Sequence, residues 1–344
     1  MLEHGGRLLD AAQRHGIEPA RWLDLSTGIN PHAYPVGPIS SDAWRRLPQA
    51  EDGLVEIARR YYGIAGHVNM VPIAGTQAAI QALPRVLMRI RTASGPLRVS
   101  VAALTYNEYA HAWQRTGHAV TTHDFSRLPE TAAQSDVVML CQPNNPTGAR
   151  LSTEALHTML TSLRSRSGWL IVDEAYMDAT PGGSLLRSLN ATDWEHLIVL
   201  RSVGKFFGLA GARAGFAFGN PEIMQALGEE LGPWALSGPT RAAVAQALSD
   251  EAWQAGMRAA LQAMTTKLDA VLHHRLGIQA TGTTLFRWFE HPRSEALHAH
   301  LASTAILARL FAAPISDGLP SLRLGLPAND QQLARLDAAL ETFT

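Results

Sequence analysis

The chain has 344 residues, 46% of them hydrophobic, and a formal net charge of −1. That is enough apolar material for one large domain and a smaller one, while the near-neutral charge provides no field to gather nucleic acid or anionic lipid. A single cysteine, Cys141, excludes an internal disulfide framework and suits a reducing cytoplasm. No apolar run reaches the ~20 residues of a membrane span. The N-terminal stretch MLEHGGRLLDAAQRHG carries charges where a signal peptide would be apolar, and the fourteen histidines form no HExxH or Cys/His cluster, so no metal is expected.

Along the chain, the first ~50 residues read as an irregular arm, because INPHAYPVGP is rich in breakers. Alternation follows. Strands are expected at Leu97–Ala102, Ala119–Phe125, Val137–Cys141, Trp169–Val172, Leu197–Leu200 and Gly215–Phe218. Helical patterns fall between them at Thr76–Arg91, Asn107–Arg115 and Ser152–Arg166, the last opened by an N-cap signature in STEAL. Strands alternating with helices predict an α/β fold, a mostly parallel sheet with helices on both faces. After Pro239 a long helical pattern runs to about Arg275, and TTLFRWF, AILARLF and SLRLGL read as short strands of a smaller α+β domain. The expected division is an N-terminal arm (1–45) joining the small domain, a large domain (46–230), and a linking helix with the small domain (231–344).

In such sheets ligands bind at the carboxyl ends of the strands. QPNNPTG follows Val137–Cys141, DEAY follows WLIV, and RSVGK follows LIVL. Asp173, leaving a buried strand, needs a cation or strong donors. Lys205 stands among Gly, Ala and apolar residues in RSVGKFFGLAGARAGF, where desolvation favours an uncharged, nucleophilic amine. Taken singly, each motif reads equally well as a turn, a helix cap or a surface lysine. Their order at successive strand ends points to a site.

These motifs, PNNPTG through KFFGLAGARAGF, resemble the class I/II aminotransferase family, whose fold type I enzymes use pyridoxal 5'-phosphate. The resemblance implies that Lys205 is the lysine to which the cofactor is attached and Asp173 the carboxylate that keeps its pyridine nitrogen protonated. Asn145 and Tyr176 then match donors to the ring hydroxyl oxygen. Ser202 and Arg213 resemble phosphate ligands, with Gly75, Thr76 and Gln77 of AGTQAAI at a helix N-terminus where N–H groups and the helix dipole favour an anion. Tyr106 in LTYNEY occupies the place of the ring that stacks on the cofactor, with a core tyrosine as the plainer reading. Arg323 in LRLGL resembles the arginine that pairs with a substrate carboxylate, a task its planar fork suits.

Within the family, His4-Gly5-Gly6, DLSTGINP with Asn30, and GPWALSGP resemble the threonine-phosphate decarboxylases of the cobalamin pathway, close relatives of histidinol-phosphate aminotransferases. That implies decarboxylation of a small phosphorylated amino acid in a cytoplasmic homodimer. Substrate contacts are expected from His4, Gly5, Gly6, Asn30, Asn145 and Arg323. Two departures stand out. Gly28 replaces an asparagine found in one branch, and Leu47-Pro48 stands where relatives often have Tyr-Pro, a tyrosine that reaches the partner subunit's cofactor phosphate. The alternatives are a histidinol-phosphate-type aminotransferase and a non-catalytic cofactor-binding sensor domain. No DNA-binding extension accompanies the site, which speaks against the sensor.

Overall fold

The computed structural model describes residues 4–64, 68–91, 95–180, 182–187, 191–312 and 318–343. The chain divides into two compact units. The larger comprises 34–145 and 149–253, and the smaller comprises 1–33, 146–148 and 254–344.

The larger unit is built on a seven-stranded sheet. Its order is Asn69–Ile73, Gly215–Gly219, Leu197–Ser202, Trp169–Asp173, Val137–Cys141, Arg98–Ala102 and Ala119–His123. Neighbours pair in parallel from Leu197–Ser202 onward, whereas Gly215–Gly219 runs antiparallel to both strands beside it. The four strands spanning Val137–Cys141 to Gly215–Gly219 are buried at every position, which is why they read as apolar runs with polar residues only at their ends rather than as alternating ones. Helices Thr76–Ile90, Glu108–Arg115 and Thr153–Arg164 follow the expectation closely. Ser152 caps the third, its hydroxyl accepting from Ala155 N at 3.1 Å.

The smaller unit has a four-stranded antiparallel sheet in the order Arg309–Phe311, Ser321–Gly325, Phe286–Glu290 and Thr281–Thr283. A short parallel pair joins Leu23–Asp24 to Ile306–Leu307. The N-terminal segment is more regular than its breakers suggest. Leu8–His15 is a helix closed by Gly16 in the left-handed conformation. Ala11, Ala12 and Trp22 pack with Ala302 and Ala305 into a small core, so burial against residues distant in sequence fixes this segment.

Candidate active site

The site gathers at one edge of the large sheet, and topology explains the gathering. Cys141, Asp173 and Ser202 are the last residues of three adjacent strands. Ile73 ends another strand just before Gly75. The antiparallel strand begins where the parallel ones end, Gly215 pairing with both Ser202 and Ile73. Arg213 therefore arrives at the same edge. It holds the left-handed conformation at φ 49°, uncommon for a side chain of its size.

A cavity of about 150 Å³ at this edge is lined by Gly75, Thr76, Gln77, Tyr106, Asn145, Asp173, Tyr176, Ser202, Lys205 and Arg213, together with Tyr109 and Cys141. Every cofactor-binding candidate of the sequence is thus brought into one place. Asp173 is only 2% exposed. Tyr109 Oη donates to its Oδ2 at 2.8 Å and Ala175 N to its Oδ1 at 3.0 Å. Burial pushes the Asp173 carboxyl up to about 6, a rise limited by those two donors and by the charge of Lys205. Lys205 is half-buried, its Nζ lying 5.6 Å from the centre of the Tyr176 ring.

The opposite end of the cavity suits an anion. Helix Thr76–Ile90 starts after Gly75, whose φ is 76°, and no side chain caps it. A Cβ on Gly75 would stand 3.0 Å from Arg213 Nη2, so glycine keeps the guanidinium close to the helix terminus. The Gln77 side chain is engaged elsewhere. It accepts from Tyr106 Oη at 3.0 Å and donates to Glu108 Oε2 at 2.9 Å. What Gln77 offers an anion is therefore its backbone position, while its amide orients Tyr106. Burial, then Glu108, raises the Tyr106 phenol, which stays a protonated donor.

Behind the site lies a buried ion cluster. Arg201 Nη1 donates to Glu174 Oε2 at 2.8 Å and Nη2 to Asp178 Oδ1. Burial works against the Arg201 charge, and Asp178 and Glu174 more than reverse that. Glu174 follows Asp173 and Arg201 precedes Ser202, so the cluster ties together the ends of two strands that carry site residues.

The remaining candidates belong to the smaller unit. Gly6 N donates to Ser26 Oγ at 2.7 Å, and a Cβ on Gly5 would fall 2.3 Å from Ser26 O. Arg323 Nη2 donates to that same carbonyl at 2.6 Å, with its guanidinium carbon 5.4 Å from the Phe286 ring centre. Three of the expected substrate residues therefore converge on Ser26. Asn30 is buried and accepts from His32 N at 2.9 Å, and His4 is exposed.

Pyridoxal phosphate, the cofactor the resemblance implies, fits the chemistry of the large-unit cavity. It has an anion cradle that a Cβ at Gly75 would crowd, a lysine for covalent attachment, and a buried carboxylate for a protonated ring nitrogen. Tyr109 was not singled out from sequence. A signal was there, because Tyr106 and Tyr109 are three residues apart in LTYNEY and the turn that opens helix Glu108–Arg115, with Tyr109 N donating to Tyr106 O at 3.1 Å, brings the two side chains together. Their rings meet edge to face at 5.4 Å.

The sequence profile of the family described as aminotransferase class I and II matches residues 46–338. A threonine-phosphate decarboxylase of Pseudomonas aeruginosa is 46% identical over 343 residues, covering 100% of this chain and 98% of the relative. A threonine-phosphate decarboxylase of a Sinorhizobium species is 37% identical, covering 99% of this chain and 98% of its own. Among solved structures, a histidinol-phosphate aminotransferase from Sinorhizobium meliloti in complex with pyridoxal-5'-phosphate superposes with a TM-score of 0.77. At 18% identity, covering 99% of this chain and 97% of that one, it shows a shared fold.

Proposed function

The chain belongs to the aminotransferase class I and II family and uses pyridoxal phosphate, and from that premise we propose that it decarboxylates L-threonine O-3-phosphate. The products are (R)-1-amino-2-propanol O-2-phosphate and carbon dioxide, a step of cobalamin biosynthesis. One observation carries the choice of reaction: the 46% identity that spans the whole chain to a relative named for that activity.

When bound, the cofactor supplies an electron-withdrawing ring that weakens a bond at the substrate Cα. Asp173, whose carboxylate accepts from Tyr109 Oη and Ala175 N, would hold a proton on the ring nitrogen. Arg213, Ser202 and the N-terminus of helix Thr76–Ile90, which line the cavity, would hold the cofactor phosphate, and Tyr106 would offer its ring as a stacking surface. Asn145 and Tyr176, also in the cavity lining, would be the donors to the ring hydroxyl oxygen. Lys205, half-buried in the cavity lining, would be the point of covalent attachment for the cofactor, and its amine would be the group placed to hold or deliver a proton at the substrate Cα. Arg323, anchored on Ser26 O, orients the substrate carboxylate, and His4, Gly5, Gly6 and Asn30 contribute to substrate binding.

The test is to supply threonine phosphate with no 2-oxo acid. One carbon dioxide per substrate is expected from the wild type, and none from Lys205→Ala, which should also lose the cofactor bond that borohydride traps. Turnover only with histidinol phosphate and 2-oxoglutarate would replace this reading with the aminotransferase.

The enzyme works as a homodimer. Support comes from Trp44, Leu47 and Trp234, which are 73%, 64% and 57% exposed. Helix Ser41–Arg45, which carries Trp44, lies against helix Gly238–Ser249, where a Cβ on Gly238 would come 2.2 Å from Ala43 O. Large apolar side chains this exposed are what burial against a second copy of the chain would cover. Sedimentation should give twice the chain mass of 37.2 kDa, and the single-chain mass at micromolar concentration would remove the proposal. We place the enzyme in the cytoplasm, in keeping with its one buried, unpaired cysteine. No helix among the described residues is long and apolar enough to cross a membrane.

A further inference from the structure

We propose that Tyr109 is a positioning residue that acts through Asp173, fixing the rotation of its carboxylate and holding it ionised so that it can retain a proton on the cofactor ring nitrogen. The inference rests on the reading that pyridoxal phosphate occupies the large-unit cavity with Asp173 as its ring-nitrogen partner.

Three observations support it. Tyr109 is 1% exposed, and its hydroxyl gives a 2.8 Å bond to Asp173 Oδ2, with the Cys141 thiol as its other polar neighbour. Asp173 is 2% exposed, and its two carboxylate oxygens receive different donors, Oδ1 from Ala175 N and Oδ2 from Tyr109. Two donors on two oxygens fix the carboxylate plane, and one of them is a side chain that substitution can remove. The phenol itself is unavailable as an acid, because burial and the Asp173 charge raise it far above its ordinary range. It can only donate.

The surroundings leave Tyr109 as the adjustable element. The titratable and charged groups facing Asp173 are Tyr109, Cys141, Lys205, Glu174 and Tyr106. Burial is the largest influence and raises the carboxyl, with Glu174 acting in the same direction. Tyr109, the Ala175 amide and Lys205 oppose it. Once Lys205 is engaged with the cofactor, Tyr109 is the side-chain donor that continues to favour the charged form. Cys141 turns its thiol toward Pro143 O at 3.1 Å, and burial raises it too, so it brings no charge.

The experiment measures equilibrium binding of pyridoxal phosphate to the cofactor-free protein by absorbance and tryptophan fluorescence across pH 5–9. Four proteins are compared: wild type, Tyr109→Phe, Asp173→Asn and the double variant. Phenylalanine keeps the ring and its packing and removes only the donor. If Tyr109 acts through Asp173, Tyr109→Phe weakens binding roughly ten-fold at neutral pH and moves the pH midpoint of binding upward, as expected for loss of a hydrogen bond to a charged group. In the Asp173→Asn background the same change alters binding by less than about three-fold, because the charge it served is gone. Site-specific fluorotyrosine at position 109, a stronger donor of nearly the same size, moves the midpoint downward and keeps the inference testable should Tyr109→Phe fold poorly. Equal losses in both backgrounds would mean that Tyr109 only packs, and would overturn the inference. So would an unmoved midpoint in either Tyr109 variant. Wild type that does not bind pyridoxal phosphate would remove the cofactor reading, and this inference with it. Wild-type binding weakened by Asp173→Asn but not by Tyr109→Phe would remove the inference alone.

Discussion

Asp173 sits where the demands of binding and of stability diverge. Its carboxyl is pushed from 3.8 up to about 6 by burial, so the native protein takes up a proton there that the unfolded chain has already released. Stability therefore falls as pH rises from 3.8 to about 6, and the cost persists above that window. Two pK units correspond to roughly 3 kcal/mol as an upper figure. Cofactor-free Asp173→Asn should accordingly be more stable than wild type at pH 7.5 in urea unfolding, with the difference shrinking toward zero near pH 4. An equal difference at both pH values would show that Asp173 carries no such penalty. The same variant should bind pyridoxal phosphate more weakly, the usual opposition between a prepared site and a stable one. At this scale the sequence exposed the polar residues at strand ends, because a charged side chain after an apolar run is conspicuous. It exposed hydrogen-bond partners poorly. Gln77 turns its amide to Tyr106 and Glu108, a direction set by rotamers and neighbours rather than by position in the motif.

Among the elements, the central strands were legible because burial on both faces writes itself as a continuous apolar run, and Val137–Cys141 was read to its end residues. Asn69–Ile73 was not. It contains Pro72 and its positions are only partly buried before Ile73, features of an edge strand, which can spare an N–H. The helical pattern after Pro239 breaks at Asp250 into Gly238–Ser249 and Glu251–Leu276. Asp250 accepts from Trp253 N at 2.9 Å and from Tyr34 Oη at 3.3 Å, a cap that helical periodicity passes over. AILARLF divides because its halves serve different sheets, Ile306–Leu307 pairing with Leu23–Asp24 and Arg309–Phe311 with Ser321–Gly325. The strand ends that carry Asp173 and Ser202 depend on the Arg201 cluster. Arg201→Met would leave Glu174 and Asp178 buried without their cation, at a cost of about 3–5 kcal/mol. Denaturant unfolding of the cofactor-free protein measures this, and a loss below about 1 kcal/mol would contradict the cluster's structural weight.

Across the whole molecule, the cofactor candidates all belong to the larger unit, whereas His4, Gly5, Gly6, Asn30 and Arg323 belong to the smaller. Pyridoxal phosphate at a hundred times its dissociation constant should stabilise the larger unit by about 2.7 kcal/mol. Scanning calorimetry should show the gain as an upward shift in wild type and a smaller one in Lys205→Ala at the same concentration. Equal shifts would imply that the lysine adds nothing to retention. The division of the chain also bears on engineering. Residues 146–148, the Pro-Thr-Gly of the motif that supplies Asn145, pack with the smaller unit, where a Cβ on Gly148 would meet Gly282 at 2.4 Å and Thr281 Oγ1 donates to Thr147 O at 2.9 Å. Neither unit is one continuous stretch of polypeptide. A chimera that exchanges the cofactor half of this chain with that of a relative must therefore match joints at 33/34, 145/146, 148/149 and 253/254. A single crossover would carry parts of both units, and modular exchange by one splice is closed to this fold.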